Sequence, residues 1–204
     1  MKKTIFVMGC AVVIMFAACT KTNSYNQYLQ PHDANLMMDT MHAMMDRMDA
    51  MAKTNDPEID FAKMMTMHHQ GAISMANVEL KSGSNDSLKR TAAKIINEQQ
   101  KEITQFQNII AGINVDNSDP AFTMEQMNNM MKMGKAIDVQ LITGNIDNDF
   151  ATLMIGHHQA AIDNASAYLH HGNNSQLKTI ATNIINSQTM EIQELADWLK
   201  ANKR

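Results

Sequence analysis

An all-α fold, an antiparallel helical bundle made of two tandem sequence repeats, follows from three features of this 204-residue chain. The sequence aligns with itself, without a gap, at an offset of 89 residues. Within each copy, apolar residues recur at steps of three and four, which keeps them on one helix face. Breakers and strand formers are scarce, with 8 Gly, 3 Pro and 5% aromatic residues, so helices are favoured over a β-sandwich. No segment of the chain beyond residue 19 alternates with the two-residue period of a strand.

The repeat spans the whole domain. Pro31 falls on Pro120, Met41 on Met130, Met44 on Met133 and Asp49 on Asp138. His68-His69-Gln70 falls on His157-His158-Gln159, and Ile95-Ile96-Asn97 on Ile184-Ile185-Asn186. From Phe61 to Phe106, 21 of 46 positions are identical, far beyond chance. Two copies are too few for a solenoid, so residues 31–112 and 120–204 are expected to close into one domain.

Ahead of the first copy lies an address rather than structure. Lys2 and Lys3 precede an apolar run from Ile5 to Ala18, too short to span a bilayer but suited to a signal peptide. Phe16-Ala17-Ala18-Cys19 resembles the lipobox of bacterial lipoproteins, in which the cysteine is lipidated. Residues 1–19 are therefore expected to form a lipoprotein signal and residues 20–30 a polar tether. The chain is expected to be secreted across the inner membrane, as a periplasmic or outer-membrane lipoprotein. Cys10 leaves with the signal and Cys19 takes the lipid, so no thiol remains for disulfides or metals. The formal charge of −4 offers no basic stripe for nucleic acid.

Each copy reads as three helices. The first helices are expected over 33–53 and 121–142, starting at Asp33 and at Asp119-Pro120, since proline suits the first helical position. The second run over 57–82 and 147–171. Asp56-Pro57-Glu58 supplies a cap, a proline and an acid on the positive end of the dipole, and Gly83 and Gly172 stand where C-caps belong. The third run over 86–111 and 175–202. Loops of two to five residues make neighbours antiparallel.

The apolar stripes hold polar residues at matching places: His68, Gln99 and Glu102 in one copy, His157, Gln188 and Glu191 in the other. Buried polar groups are costly unless partnered, so the pattern requires a ligand or a satisfied network. The central motif is Met64-Met65-x-x-His68-His69, paired with Met154-x-x-His157-His158. Spacings of three and four place each thioether above the imidazoles on the helix surface. Neutral imidazole suits zinc, copper, iron or nickel, whereas thioether sulfur selects Cu(I) and, by the same softness, Ag(I). The carboxylates of Glu102 and Glu191 either ligate directly or, the favoured role, stand with Gln99 and Gln188 behind the ligands and accept from the distal histidine nitrogens, fixing their tautomers. The same residues would pair with core histidines if no metal bound.

Methionine is the compositional outlier, at 21 residues. Met37, Met38, Met41, Met44, Met45, Met48 and Met51 share one face of the first helix; Met124, Met127, Met130, Met131 and Met133 share the matching face in the second copy. This is the spacing of a bundle seam, which methionine can fill. Leucine specifies such a seam better, so the face is also read as a thioether surface for soft metal, with Met41, Met44, Met130 and Met133 as candidate ligands. His42 sits among them. His170-His171 at a helix end reads as a solvated cap on the negative end of the dipole.

The Phe-Ala-x-x-Met-x-x-His-His-Gln-x-Ala-Ile motif, the following glycine and the Gln-x-x-Glu-Ile of the next helix resemble the secreted bacterial domain-of-unknown-function family 305. The resemblance covers about residues 58–200. It implies a ferritin-like bundle and a copper-handling role, with the family's paired histidines falling on His68, His69, His157 and His158. In the second copy, Leu153, Gly156 and Asn164 stand where the first has Met64, Met67 and Met75. The expectation is a metal-binding protein that buffers or resists copper, Cu(I) before Ag(I) or Cu(II). A copper-transfer partner is left unidentified. The alternatives are a ferritin-like oxidase and a structural envelope lipoprotein. An iron oxidase wants inward Glu-x-x-His pairs, and the chain has none. It also has no Gly-x-Ser-x-Gly elbow. It is therefore expected not to be an enzyme.

Overall fold

The computed structural model describes residues 30–202. The signal segment, Cys19 and the tether up to residue 29 lie outside them. The described residues form a short 3₁₀ turn and six α-helices: α1 (Leu36–Asp49), α2 (Pro57–Ser82), α3 (Asp86–Ile110), α4 (Pro120–Asp138), α5 (Ile146–His171) and α6 (Ser175–Ala201). No strand occurs among them.

Every α-helix begins at an Asp or Asn whose side chain accepts from the first free backbone N–H groups: Asn35, Asp56, Asn85, Asp119, Asn145 and Asn174. Each such cap stabilises by about 0.5–2 kcal/mol. The first helices are shorter than the sequence predicts. Asn35 rather than Asp33 caps α1. Helix α4 stops at Asp138 because the residues after it turn to the segment ahead of α1: Gln30 N donates to the Ile142 carbonyl and His32 Nε2 lies 2.8 Å from the Gln140 carbonyl.

Helices α2 and α3 form one antiparallel hairpin and α5 and α6 the other. The hairpins pack α2 on α5 and α3 on α6, while α1 covers α2 and α4 covers α5. Phe61 stacks on Tyr168 of the other copy, ring centres 4.2 Å apart, and meets Phe106 edge-on. No described helix is long and apolar enough to cross a membrane.

Two buried carboxylates tie the copies together. Asp60 accepts from Thr54 N, Thr54 Oγ1 and Asn55 N, and Asp149 accepts from Thr143 N, Thr143 Oγ1 and Gly144 N. Each latch folds its loop through one left-handed residue, Asn55 at φ 63° or Gly144 at φ 75°; Asn and Gly are the residues that tolerate this. Each carboxylate also takes a donor from the opposite copy, Thr123 of α4 on Asp60 and the Asn35 cap of α1 on Asp149. The first helix of each copy is thus moored on the other.

Gly83 and Gly172 do end α2 and α5, but not as left-handed caps, since both are extended (φ −67° and −72°). Glycine is needed there for space. A Cβ at Gly83 would strike the Glu79 carboxyl, and one at Gly172 the Tyr168 ring.

The methionine faces differ between copies. On α1, Met37, Met38, Met41, Met44 and Met48 are buried. On α4 only Met130 and Met133 are; Met124, Met127 and Met131 are exposed, where the sequence placed them on one buried face. Phe122 and Ile137 take the inward positions instead.

Candidate metal centre

Helices α2 and α5 run antiparallel and cross at their midpoints, which brings the two His-His motifs together. His68, His69, His157 and His158 are all fully buried. The His68 and His157 rings face each other with centres 3.7 Å apart and a tilt of 37°. His157 Nε2 lies 3.1 Å from the His68 carbonyl. The outer imidazoles stand further off, His69 6.4 Å from His68 and His158 6.0 Å from His157, centre to centre.

Each outer imidazole meets a carboxylate of the third helix of its own copy. His69 Nε2 is 2.7 Å from Glu102 Oε2, and His158 Nε2 is 2.9 Å from Glu191 Oε2 without the angle of a good hydrogen bond. These contacts leave Nδ1 of both rings buried and unpartnered, together with both nitrogens of His68 and Nδ1 of His157. Burial, then the neighbouring His69 and His158, hold the His68 imidazole well below its usual range. Burial, then His68, His158 and His69, do the same for His157. At neutral pH the inner pair is therefore uncharged, the form that binds metal.

The two copies differ around this pair. Burial alone would raise the Glu191 carboxyl, but His158 and Lys94 outweigh it and hold the group low. Glu191 is 3% exposed at its side chain against 17% for Glu102, so the second carboxylate is sealed and the first reaches water. Gln99 and Gln188 are buried, and their amides have no partner at either end. Met65 and Met154 are fully buried one turn before the histidines. Met41, Met44 and Met133 are core residues, Met44 lying against Gly71. Met64 and Met130 line an open groove between α1 and α4. His42 is exposed, 3.3 Å from Asp138. His171 is not merely a solvated cap: it links α5 to the start of α4 through Asp119 at 2.7 Å and Glu125 at 3.2 Å.

Among the described residues, no three His, Cys, Asp or Glu side chains are grouped so as to hold one ion. Adjacent histidines diverge by about 100° around the helix, so only one of each pair points at the crossing. The sequence offers Glu58 only as a first-turn acid and gives no role to the buried Asp60, Asp149 and Glu79. The repeat offset was the available signal, since it superposes Thr54 and Asp60 on Thr143 and Asp149.

The model of the family described as Domain of unknown function (DUF305) matches residues 15–110 and 58–199. The chain belongs to this family. Solved structures of CopM are similar to it. The Ag-bound form made by soaking is 25% identical with a TM-score of 0.53, and the Cu(I)-bound form 26% identical with 0.55; each covers 72% of this chain and 98% of that one. The Cu(II)-bound form is 29% identical with 0.56, covering 71% and 96%. Nothing among curated proteins matches.

Proposed function

We propose that this family member is a copper- and silver-binding protein of the bacterial envelope, acting as a buffer or resistance factor rather than an enzyme. One observation carries the reading: six imidazole nitrogens at the α2–α5 crossing are buried without a hydrogen-bond partner. A buried polar atom left unpaired costs about 1–3 kcal/mol, and coordination would relieve that cost. The inner rings are neutral, and no group of three charged or imidazole ligands surrounds them. An ion content with two or three ligands and a single charge suits this centre, because burying charge is costly. Cu(I) and Ag(I) meet both conditions, and Met65 and Met154 add soft sulfur. The carboxylates on His69 and His158 orient those rings in the way such partners orient metal-bound histidine. The relatives' capture of Ag, Cu(I) and Cu(II) supports the same cargo.

Competition titrations with Cu(I), Ag(I), Cu(II) and Zn(II) test this. The monovalent ions should bind tightly to the parent, and His68→Ala with His157→Ala should lose the ion held by imidazole nitrogen. Preference for Zn(II), or iron retained on purification with oxidase activity, would overturn it. The envelope address rests on Cys19: Cys19→Ser should move the protein from the membrane to the soluble fraction, and unchanged partitioning would refute lipidation.

A further inference from the structure

We propose that the groove between α1 and α4 is a second site, built from thioethers alone, which captures one soft monovalent cation before it reaches the histidines. This rests on the reading of the cargo as a soft cation and adds where it is first held. The groove has a volume of about 360 Å³ and draws on three helices from both copies. Met48, Met64 and Met130 are buried at its base (6%, 2% and 6% exposed), while Met127 and Met131 stand 45% and 46% exposed at its rim. Met45 reaches across from α1 until its methyl group lies 3.2 Å from the place a Cβ would occupy at Gly134.

Core packing accounts for the base but not for the rim. Met127 is the repeat counterpart of Met38, which is fully buried. Leaving such side chains in water gains no burial and invites oxidation. Thioether sulfur is uncharged and soft, so a cavity lined by it selects Cu(I) or Ag(I) over zinc or calcium. Asp49 and Asp138 are balanced by Lys53 and Lys135 around the groove, so no net field draws a divalent ion. The Gln126 amide lines the cavity, 2% exposed, with its nitrogen unpartnered. Placement gives the site its role. The four histidines are sealed, whereas the groove is open, and Met64 precedes His68 by four residues on α2. That is one helical turn, about 6 Å along the axis.

Silver ions counted by native mass spectrometry, with X-ray absorption to identify the ligands, decide the matter on the purified protein. The parent should hold at least two ions. Replacing His68, His69, His157 and His158 by Ala should leave one, bound by sulfur only. Met48→Leu, Met64→Leu and Met130→Leu together should remove that ion and spare the histidine-bound one; circular dichroism checks the fold, which tolerates such swaps. Met127→Leu with Met131→Leu alters only exposed residues and should weaken the sulfur site at least about tenfold, the scale set by removing even an outer partner of a metal ligand. The proposal fails if both leucine variants bind as many ions as the parent, or if the ion kept without histidine has nitrogen or oxygen ligands. If silver is lost from the leucine variants but fully retained without the histidines, the groove stands and the reading of the centre falls.

Discussion

Asp149→Ala should destabilise the protein by about 3–5 kcal/mol, since hydrogen bonds to a charged group contribute about 1.5–3 kcal/mol each and orphaned buried donors cost more. The carboxylate is fully buried and accepts from Thr143 N at 2.9 Å, Thr143 Oγ1 at 2.8 Å, Gly144 N at 2.8 Å and Asn35 Nδ2 at 2.9 Å. Alanine strands Thr143 N, Thr143 Oγ1 and Gly144 N, and leaves Asn35 Nδ2 only its bond to Gln30 Oε1. The loss should not spread evenly. Asn35 caps α1, so freeing its side chain loosens the start of the helix that carries Met37, Met38, Met41, Met44 and Met48. Amide exchange in α1 should rise before exchange at the α2–α5 crossing. Asp60→Ala should cost less, because its cross-copy donor, Thr123 Oγ1, sits at a longer 3.4 Å. Urea unfolding with site-resolved exchange measures both. Equal costs, or exchange that rises uniformly, would show that the mooring between copies does not control α1.

The helices were legible because their ends are written in short-range chemistry. Asp56-Pro57, Asn85, Asp119-Pro120 and Asn174 each announce a start within three residues, and α2, α3, α5 and α6 fall within one residue of the expected bounds. The first helices were misjudged where long-range contacts intervene. Asn35 is chosen as cap because its amide also reaches Asp149, more than a hundred residues away. Residues 139–142, which continue the apolar pattern of α4, give their carbonyls to Gln30 and His32 instead.

At the site, the repeat made the meeting of the two His-His motifs readable, as it did the carboxylates behind the outer rings. Which ring of each pair faces its counterpart was not readable, because it depends on how α2 and α5 rotate at their crossing. The burial of Glu191 and partial exposure of Glu102 were also hidden. Both occupy the same repeat position, and the contacts of Lys94 and Glu98 from the opposite copy separate them. The exposure of Met127 likewise contradicts its counterpart Met38 and follows from the groove, which one copy alone does not form.

The repeat also breaks at a position that sets the pH response. Asp147 accepts from Ser84 N and Asn85 N at the start of α3, and its counterpart Glu58 accepts from Asn173 N and Asn174 N at the start of α6. Tyr168 lies beneath Glu58 with its hydroxyl 3.5 Å away. In the other copy that place belongs to Glu79, fully buried beside Asp147. Burial, then Asp147, push the Glu79 carboxyl from 4.5 up to about 8. At neutral pH it is thus a protonated acid, able to donate toward Asp147 as a tyrosine would. Because the unfolded chain releases this proton near 4.5 while the folded chain keeps it to about 8, stability falls as pH rises through that window, by up to about 1.4 kcal/mol per unit. His68 and His157 act in the opposite sense. Their folded values lie well below 6.5, so as pH drops under 6.5 the unfolded chain gains two protons that the folded one refuses. Two groups outweigh one, and stability should therefore peak near pH 6.5. Toward pH 8 it should fall by about 1 kcal/mol, because the histidines still offset part of that slope and Glu79 itself begins to ionise. The half-buried His171, raised by Asp119, adds a small loss of the same sign. Glu79→Gln keeps the volume and cannot ionise, so it should flatten the alkaline limb and leave the acid limb intact. Saturating Ag(I) should raise stability and leave the acid limb in place, since that limb comes from protons taken up by the unfolded chain and an ion on the inner imidazoles only keeps the folded ones unprotonated. Urea titrations from pH 5 to 9 read both limbs, and an alkaline slope unchanged in Glu79→Gln would remove the buried acid as its cause.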